Sequence, residues 1–560
     1  MVFSKQPIAL VRLLLVDCIL TAVSLLAAET AHLQAAVTII PKPANMTQRT
    51  GTFSLQTGTV VYVQGDARET RETARYLARV LSPTNRFPLK VKPVANSEIL
   101  PAGILLTTQD APANLGNEGY LLDITSERIV ARAKRAAGFF YAVQTLRQLL
   151  PREAALSERA LPCLRIEDRP RFPWRGLMLD PARQFLSTDF LKHYIDLLAF
   201  YKLNRLQLHL TDDTAWTIEI KKYPQLTDMS RWPTRPADRV RGVYTHDQVR
   251  ELAAYAASRH VMLVPEIEMP AHNAIPGWVL PQVLCSNNPY RTHEKPWDDK
   301  DTSQWTEPCA ANPKALEAYQ NILREVMDVF PGPYIHVGGD EYFGVAWAHC
   351  PECRKLIETE HLRREQTDEL KRLFGNKCLG SSEKYLVYRY LMTRICDFVR
   401  SQGRQPVLWD DLSWRGRFPE GAVIMQWHYQ GGIDYMQHVA TPENPAAEAA
   451  RAGRDTVVGP FSHLYFDINS TLEAVYRFDP MPAGLTPAEQ SRVLGPHAPV
   501  WDQREDQVDG RTFPRLYALA EIAWAPGEKD NLAEFLRRVA VHEKQRAALP
   551  QVPRPKVSGR

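Results

Sequence analysis

The pattern of apolar and polar positions divides the chain in two. In the first part, TVVYV (59–63) and GILLTT (103–108) read as strands, and ARETRETARYLARVL (67–81) carries apolar residues at helical spacing. EGYLLDITSERIVARA alternates as a hairpin does, and GFFYAVQTLRQLL (138–150) returns to the helical period. This first unit, 37–168, is expected to be a small α+β domain. It carries no cluster of chemistry-bearing residues, so its expected role is to pack against and steady the larger unit C-terminal to it. EDRPRFP (167–173) is a proline-punctuated joint.

Beyond the joint, apolar runs alternate with helical patterns. The runs are WRGLMLD (174–180), NRLQLHL (204–210), VMLVPEI (261–267), YIHV (334–337), PVLW (406–409), AVIMQW (422–427), TVVG (456–459) and GPHAPVW (495–501). TDFLKHYIDLLAFYKL, ALEAYQNILREVMDVF and FPRLYALAEIAWA read as helices, and Thr245 with Gln248 forms a capping box ahead of VRELAAYAASRH. Strand–helix alternation around eight runs predicts an α/β fold, a (β/α)8 TIM barrel over 169–548. Residues 359–385 read as an excursion from the barrel. NLAEFLRRVAVHEKQRAAL reads as a closing helix, and 549–560 as a disordered tail.

Composition narrows the function. With 44% hydrophobic and 24% charged residues the chain is globular in character, and a net charge of +4 without a basic run makes nucleic acid an unsuitable partner. Lys5 and Arg12 flank an apolar stretch followed by small residues, so 1–36 reads as a signal peptide, although Asp17 interrupts the stretch. No membrane span is expected. The protein should be secreted or periplasmic. Of 8 cysteines, Cys18 would leave with the leader, and an odd number would remain. Cys350 and Cys353 form a CxxC with no evident second ligand pair, so a local disulfide or two plain thiols is expected there rather than zinc.

The chemistry collects at the strand ends. In order they carry Asp180 and Arg183; Asp212 and Asp213; Glu266, Glu268 and His272; Asp340 and Glu341; Trp409, Asp410 and Asp411; Trp427; Tyr465 and Asp467; Trp501 and Gln503. In a barrel these ends meet on one face. An acidic mouth with one arginine and tryptophan walls suits a carbohydrate, whose hydroxyls take charged partners and whose ring faces take flat aromatics. Singly, each residue has a structural explanation; the joint pattern is what points to sugar. Gly338 and Gly339 let the backbone turn, so that Asp340 and Glu341 enter the mouth side by side. Two carboxylates so close cannot both ionise easily, and one pKa should rise.

IHVGGDE resembles the signature of family 20 glycoside hydrolases, the β-N-acetylhexosaminidases. RGLMLDPARQF, NRLQLHLTDDTAW, IEIKKYPQLT, VPEIEMPAH, VLWDD, SHLYFD and FPRLYALAEIAW resemble further family segments, in family order. The resemblance implies hydrolysis of a glycan ending in β-linked N-acetylhexosamine, with no cofactor and no metal at the site. The substrate's own 2-acetamido group would be the nucleophile. By the same resemblance Glu341 is general acid and base, Asp340 orients the acetamido group and Tyr465 donates to its oxygen. Asp212 and His272 would support the acid. Arg183, Asp467, Gln503 and the walls Trp409, Trp427 and Trp501 would hold the sugar. The family usually shows Trp-x-Glu after the eighth strand, whereas this chain has Gln503; Ala271 and Gln184 depart likewise from the usual glycine and histidine. Three other readings are a two-carboxylate retaining glycosidase, pairing Glu341 with Asp410, Asp411 or Asp467; a non-catalytic glycan-binding barrel; and a metal-dependent barrel hydrolase using His209, Asp212, His272 and Asp340, against which the missing HxH strand motif counts.

Overall fold

The computed structural model describes residues 37–547 other than 57, 66, 83–88, 96–100, 151–159, 233–238, 290–304, 363–381, 414–418, 429–443, 469 and 526–530. The expected leader (1–36), the expected tail (549–560) and most of the 359–385 segment lie outside these residues. Among the described residues no helix is long and apolar enough to cross a membrane.

Seven strands form the first sheet: β1 (Asn45–Ser54), β2 (Val60–Gln64), β3 (Lys90–Val94), β4 (Gly103–Thr107), β5 (Tyr120–Ile124), β6 (Arg128–Ala133) and β7 (Ala160–Asp168), in the order β1-β7-β5-β6-β4-β2-β3. β5 and β6 are the antiparallel hairpin expected from alternation. The helices Arg68–Leu81 and Ala136–Leu149 pack on the sheet and on each other.

Eight parallel strands then close into a barrel: β8 (Gly176–Leu179), β9 (Arg205–His209), β10 (Met262–Glu266), β11 (Tyr334–His336), β12 (Gln405–Trp409), β13 (Val423–Gln426), β14 (Thr456–Val458) and β15 (Val493–Val500). The fold is the TIM barrel with an N-terminal α+β domain that the alternation predicted. Alternate side chains fill its interior: Val264, Val407, Trp409, Val423, Met425 and Val457 form one buried cluster with Trp174. Between the strands the helices start where capping residues dictate. Ser187 accepts from Phe190 N–H ahead of Thr188–Phe200, and the Thr245/Gln248 capping box closes in both directions at His246–Ala257. Asn312 caps Pro313–Val329, with proline in its first turn.

Buried ions tie the sheet to the barrel. Asp168 ends β7 with no exposure and accepts from Lys202 Nζ (2.8 Å), Tyr120 Oη (2.7 Å) and Trp524 Nε1 (2.9 Å). Arg175, equally buried, pairs with Glu118 (2.7 Å). Charges so placed are tolerated only while paired. Asp168→Ala is therefore expected to cost about 3–5 kcal/mol, because it leaves the buried Lys202 ammonium without its paired carboxylate; urea unfolding of wild type and variant measures it.

The cysteines depart from the sequence expectation. Cys350 and Cys353 are not an isolated pair: Cys285 and Cys309, from the loops between β10 and Pro313–Val329, lie against them, and neither Cys350 nor Cys353 is in a disulfide.

Candidate active site

The catalytic candidates sit where β11 ends. Gly338 (φ +66°) and Gly339 (φ +110°) turn the chain through conformations that disfavour a side chain. A Cβ on Gly338 would meet Glu268 Oε2 at 2.0 Å. Gly338→Ala is expected to cost about 2–4 kcal/mol from backbone strain and overpacking, and to lower kcat as the next residues shift; thermal melting and steady-state rates read the two effects. Glu341 itself is held at φ +50° and His272 at φ +46°, both uncommon for non-glycine residues. The loop is anchored around them. Tyr388 Oη donates to Gly339 O, Glu341 N–H donates to Asp411 Oδ1 (3.1 Å), and Glu307 Oε1 accepts from Phe343 N–H (2.9 Å) and Gly344 N–H (2.7 Å).

The acidic residues form one charge network. His272 Nε2 contacts Glu341 Oε2 at 3.0 Å and lies 3.7 Å from Asp340 Oδ2. On its other side His272 Nδ1 lies 3.7 Å from Asp213 Oδ2 and 3.8 Å from Asp212 Oδ2. Burial disfavours its cation, but these carboxylates outweigh burial and raise its pKa well above the usual value. Asp212 also forms an ion pair with Arg183 Nη2 (2.7 Å) and a hydrogen bond with His209 Nε2 (3.1 Å). Burial opposes its ionisation, yet Arg183 and the histidines hold it well below the ordinary range. Arg183 is thus already paired, to Asp180 (3.0 Å) as well, and lies over the Trp501 ring at 4.9 Å.

Of the adjacent pair, Asp340 is the one whose pKa rises. Burial pushes it up to about 6, with the Glu341 charge adding to the effect. Burial acts on Glu341 too, but the His272 hydrogen bond and charge bring it below the usual carboxylate value. Asp340 Oδ1 is buried without a hydrogen-bond partner. Tyr465 is buried, and Asp340 and Asp467 both act on its hydroxyl, whose pKa burial and these charges raise. Asp467 rises to about 6, chiefly through burial, and its Oδ1 is likewise unpartnered.

The three tryptophans are not equivalent. Trp427 and Trp501 are partly exposed, whereas Trp409 is 1% exposed and lies beneath them, its Nε1–H on Glu266 Oε1 (2.8 Å). Trp427 Nε1–H donates to Asp411 Oδ2 (2.6 Å). Gln503 is half-buried, donating to the Trp501 carbonyl (3.0 Å) and accepting from Arg511 (3.4 Å). Its neighbour Asp502 instead meets Arg239 and Gln184 Nε2 (3.2 Å). Sequence reasoning did not single out Asp502 or Arg239. It placed Glu266 among the strand-end residues of the mouth, whereas the structure buries that side chain, which accepts from Gln207 Nε2 (2.8 Å) and contacts His209 Nδ1 (2.8 Å).

Residues 172–527 match the family model described as glycosyl hydrolase family 20, catalytic domain, and residues 36–169 match glycosyl hydrolase family 20, domain 2. The chain belongs to glycosyl hydrolase family 20. Within that family it is similar to a beta-hexosaminidase of Porphyromonas gingivalis, 32% identical over 90% of this chain; the chain spans 62% of that relative's length. A beta-hexosaminidase of Akkermansia muciniphila is 29% identical over 78% of this chain and 85% of its own. A solved family 20 structure, the exo beta-N-acetylglucosaminidase of Vibrio harveyi in complex with N-acetylglucosamine, superposes with TM-score 0.74 at 26% identity, covering 91% of this chain and 77% of its own.

Proposed function

We propose that the protein is an exo-acting, retaining β-N-acetylhexosaminidase that cleaves terminal β-linked N-acetylhexosamine through the substrate's own acetamido group. The observation that carries this reading is the buried, unpartnered Asp340 Oδ1 beside a Glu341 held by His272. An acceptor left open in a buried site suits the acetamido N–H. Once bound, that N–H and the carboxylate charge orient the carbonyl oxygen toward the anomeric carbon and stabilise the developing oxazolinium. Tyr465 supplies a hydroxyl donor to the same oxygen.

Glu341 starts as an anion against a protonated His272. A sugar entering the mouth removes water from Glu341, whose side chain is 33% exposed against 17% for His272. In the drier site the neutral pair gains on the ion pair, so the proton passes from His272 to Glu341. Glu341 then protonates the leaving oxygen, and afterwards takes the proton of the water that opens the oxazolinium. Arg183 and Asp467 hold hydroxyls, and Trp427 and Trp501 wall the ring. Family membership supports the same assignment. Taken with the leader at 1–36, the enzyme works outside the cytoplasm, its small domain (37–168) steadying the barrel (169–548).

A two-carboxylate mechanism is less well served. Asp410 Oδ1 is occupied by His428 (2.8 Å), and Asp411 by Trp427 and the Glu341 N–H, which leaves Asp467, its Oδ1 open, as the carboxylate such a mechanism would have to use. Matched aryl glycosides decide between the mechanisms. The N-acetyl-β-glucosaminide is expected to exceed the plain β-glucoside in kcat/KM by on the order of 10³-fold or more, the worth of a well-placed intramolecular nucleophile. Comparable turnover of the glucoside would overturn the acetamido mechanism; sugar binding without turnover would make the barrel a lectin.

A further inference from the structure

A second cluster lies beyond the acid's loop. Cys285, Cys309, Cys350 and Cys353 are all buried, at 0%, 3%, 0% and 0% exposure. Their four sulfurs lie within 4.8 Å of one another. Cys309 Sγ is 3.9 Å from Cys350 Sγ and 3.6 Å from Cys353 Sγ, and none of the four is in a disulfide. A disulfide would bring one pair to about 2.05 Å. Four thiolates around a tetrahedral zinc, each at about 2.3 Å, stand about 3.8 Å apart along every edge; the two Cys309 distances bracket that value, and all four sulfurs fall within 4.8 Å.

We propose that Cys285, Cys309, Cys350 and Cys353 hold a structural zinc ion. The ligands come as two pairs from separate loops. Cys309 N–H donates to Val283 O (2.8 Å), which sets Cys309 beside the turn leading to Cys285. Cys350 and Cys353 open the helix Pro351–Thr359, one turn apart. Contacts around the cluster bring the pairs together: Trp347 Nε1–H to Pro308 O (2.8 Å), Asn287 Nδ2–H to His349 O (2.7 Å) and Ser286 Oγ–H to Glu352 Oε2 (2.8 Å). Binding replaces four thiol protons with one divalent ion, and the protons leave to solvent. Glu352, which accepts from the Cys350 thiol at 3.1 Å, keeps its bonds to Ser286 once that proton is gone. An all-sulfur tetrahedron selects zinc over hard ions such as calcium or magnesium.

The site joins two loops of the barrel mouth. Cys309 lies on the segment of Glu307, which binds the Phe343 and Gly344 amides, and Cys350 ends the run that begins at Glu341. Zinc would therefore staple the segment carrying the acid to its neighbour.

The test is elemental analysis of the full chain, purified without added metal and dialysed. Close to one zinc per chain is expected, with all four cysteines free of disulfides by alkylation and mass spectrometry. An organomercurial added to the native protein should release that zinc to a chromogenic chelator in step with thiol capture. Cys309→Ser should fall below one-tenth of a zinc per chain, while Cys163→Ser, on β7, should keep it. If Cys309→Ser does not fold, the zinc content and mercurial release of the wild type still decide. Metal-free protein with four titratable thiols, disulfides among the four, or iron in place of zinc would each overturn the proposal.

Discussion

Glu341→Gln should lower kcat/KM on an N-acetyl-β-glucosaminide with a poor leaving group by about 10³–10⁴-fold, the upper range of general acid–base catalysis. The side chain keeps its size, so the loop pinned by Asp411 and Glu307 should keep its course. What disappears is the proton. The loss should shrink when the leaving group is a nitrophenolate, which departs with little protonation, and the rate should then be limited by opening of the oxazolinium. KM should fall together with kcat in that case, because an intermediate accumulates. An equal loss on both leaving groups would sink the acid role. Unchanged activity would move the chemistry away from Glu341 altogether.

Asp340→Asn should cost about 10²–10³-fold in kcat, comparable to removing one member of a preorganised electrostatic site. Its pH profile is the more telling measurement. The Asp340 carboxyl, raised to about 6 by burial and by Glu341, must be ionised to stabilise a cation. The working anion is present above that pH and is lost as pH falls through it. Wild-type kcat/KM, which reports the free enzyme, should therefore drop on the acid side of about pH 6, and Asp340→Asn should flatten that limb. Because His272, Glu341 and Asp340 exchange protons at short range, the observed value belongs to the cluster rather than to one residue. An acid limb unchanged in the variant would refute the assignment.

The barrel was legible because its strands are buried on both faces and read as unbroken apolar runs between helices with clear caps. β1 and β3 were not. β1 is exposed along almost its whole length, and β3, KVKPV, carries two lysines and a proline. Edge strands of this kind have no buried face to impose an alternation. The acid pair and the strand-end residues were readable from position alone. Which carboxylate would be raised was not, since that depends on His272 standing 3.0 Å from Glu341 rather than from Asp340. Gln503 and Asp502 show the same limit: adjacent residues at a turn where Asp502 takes φ +50° point to different partners, and no periodicity governs which. The cysteine cluster escaped for a further reason. Its second pair, Cys285 and Cys309, is far apart in sequence, so only folding brings the four sulfurs together.

The ions under the barrel bear on how the protein can be handled as a piece of machinery. Lys202 and Arg175 belong to the barrel, but Asp168, Tyr120 and Glu118 come from the sheet side of the joint. A catalytic cassette cut at the joint would carry two cations with their counter-charges left behind. Any chimera, display format or fusion must therefore inherit both parts as one unit, and a linker inserted at 169–173 would strain the base of the barrel rather than free it.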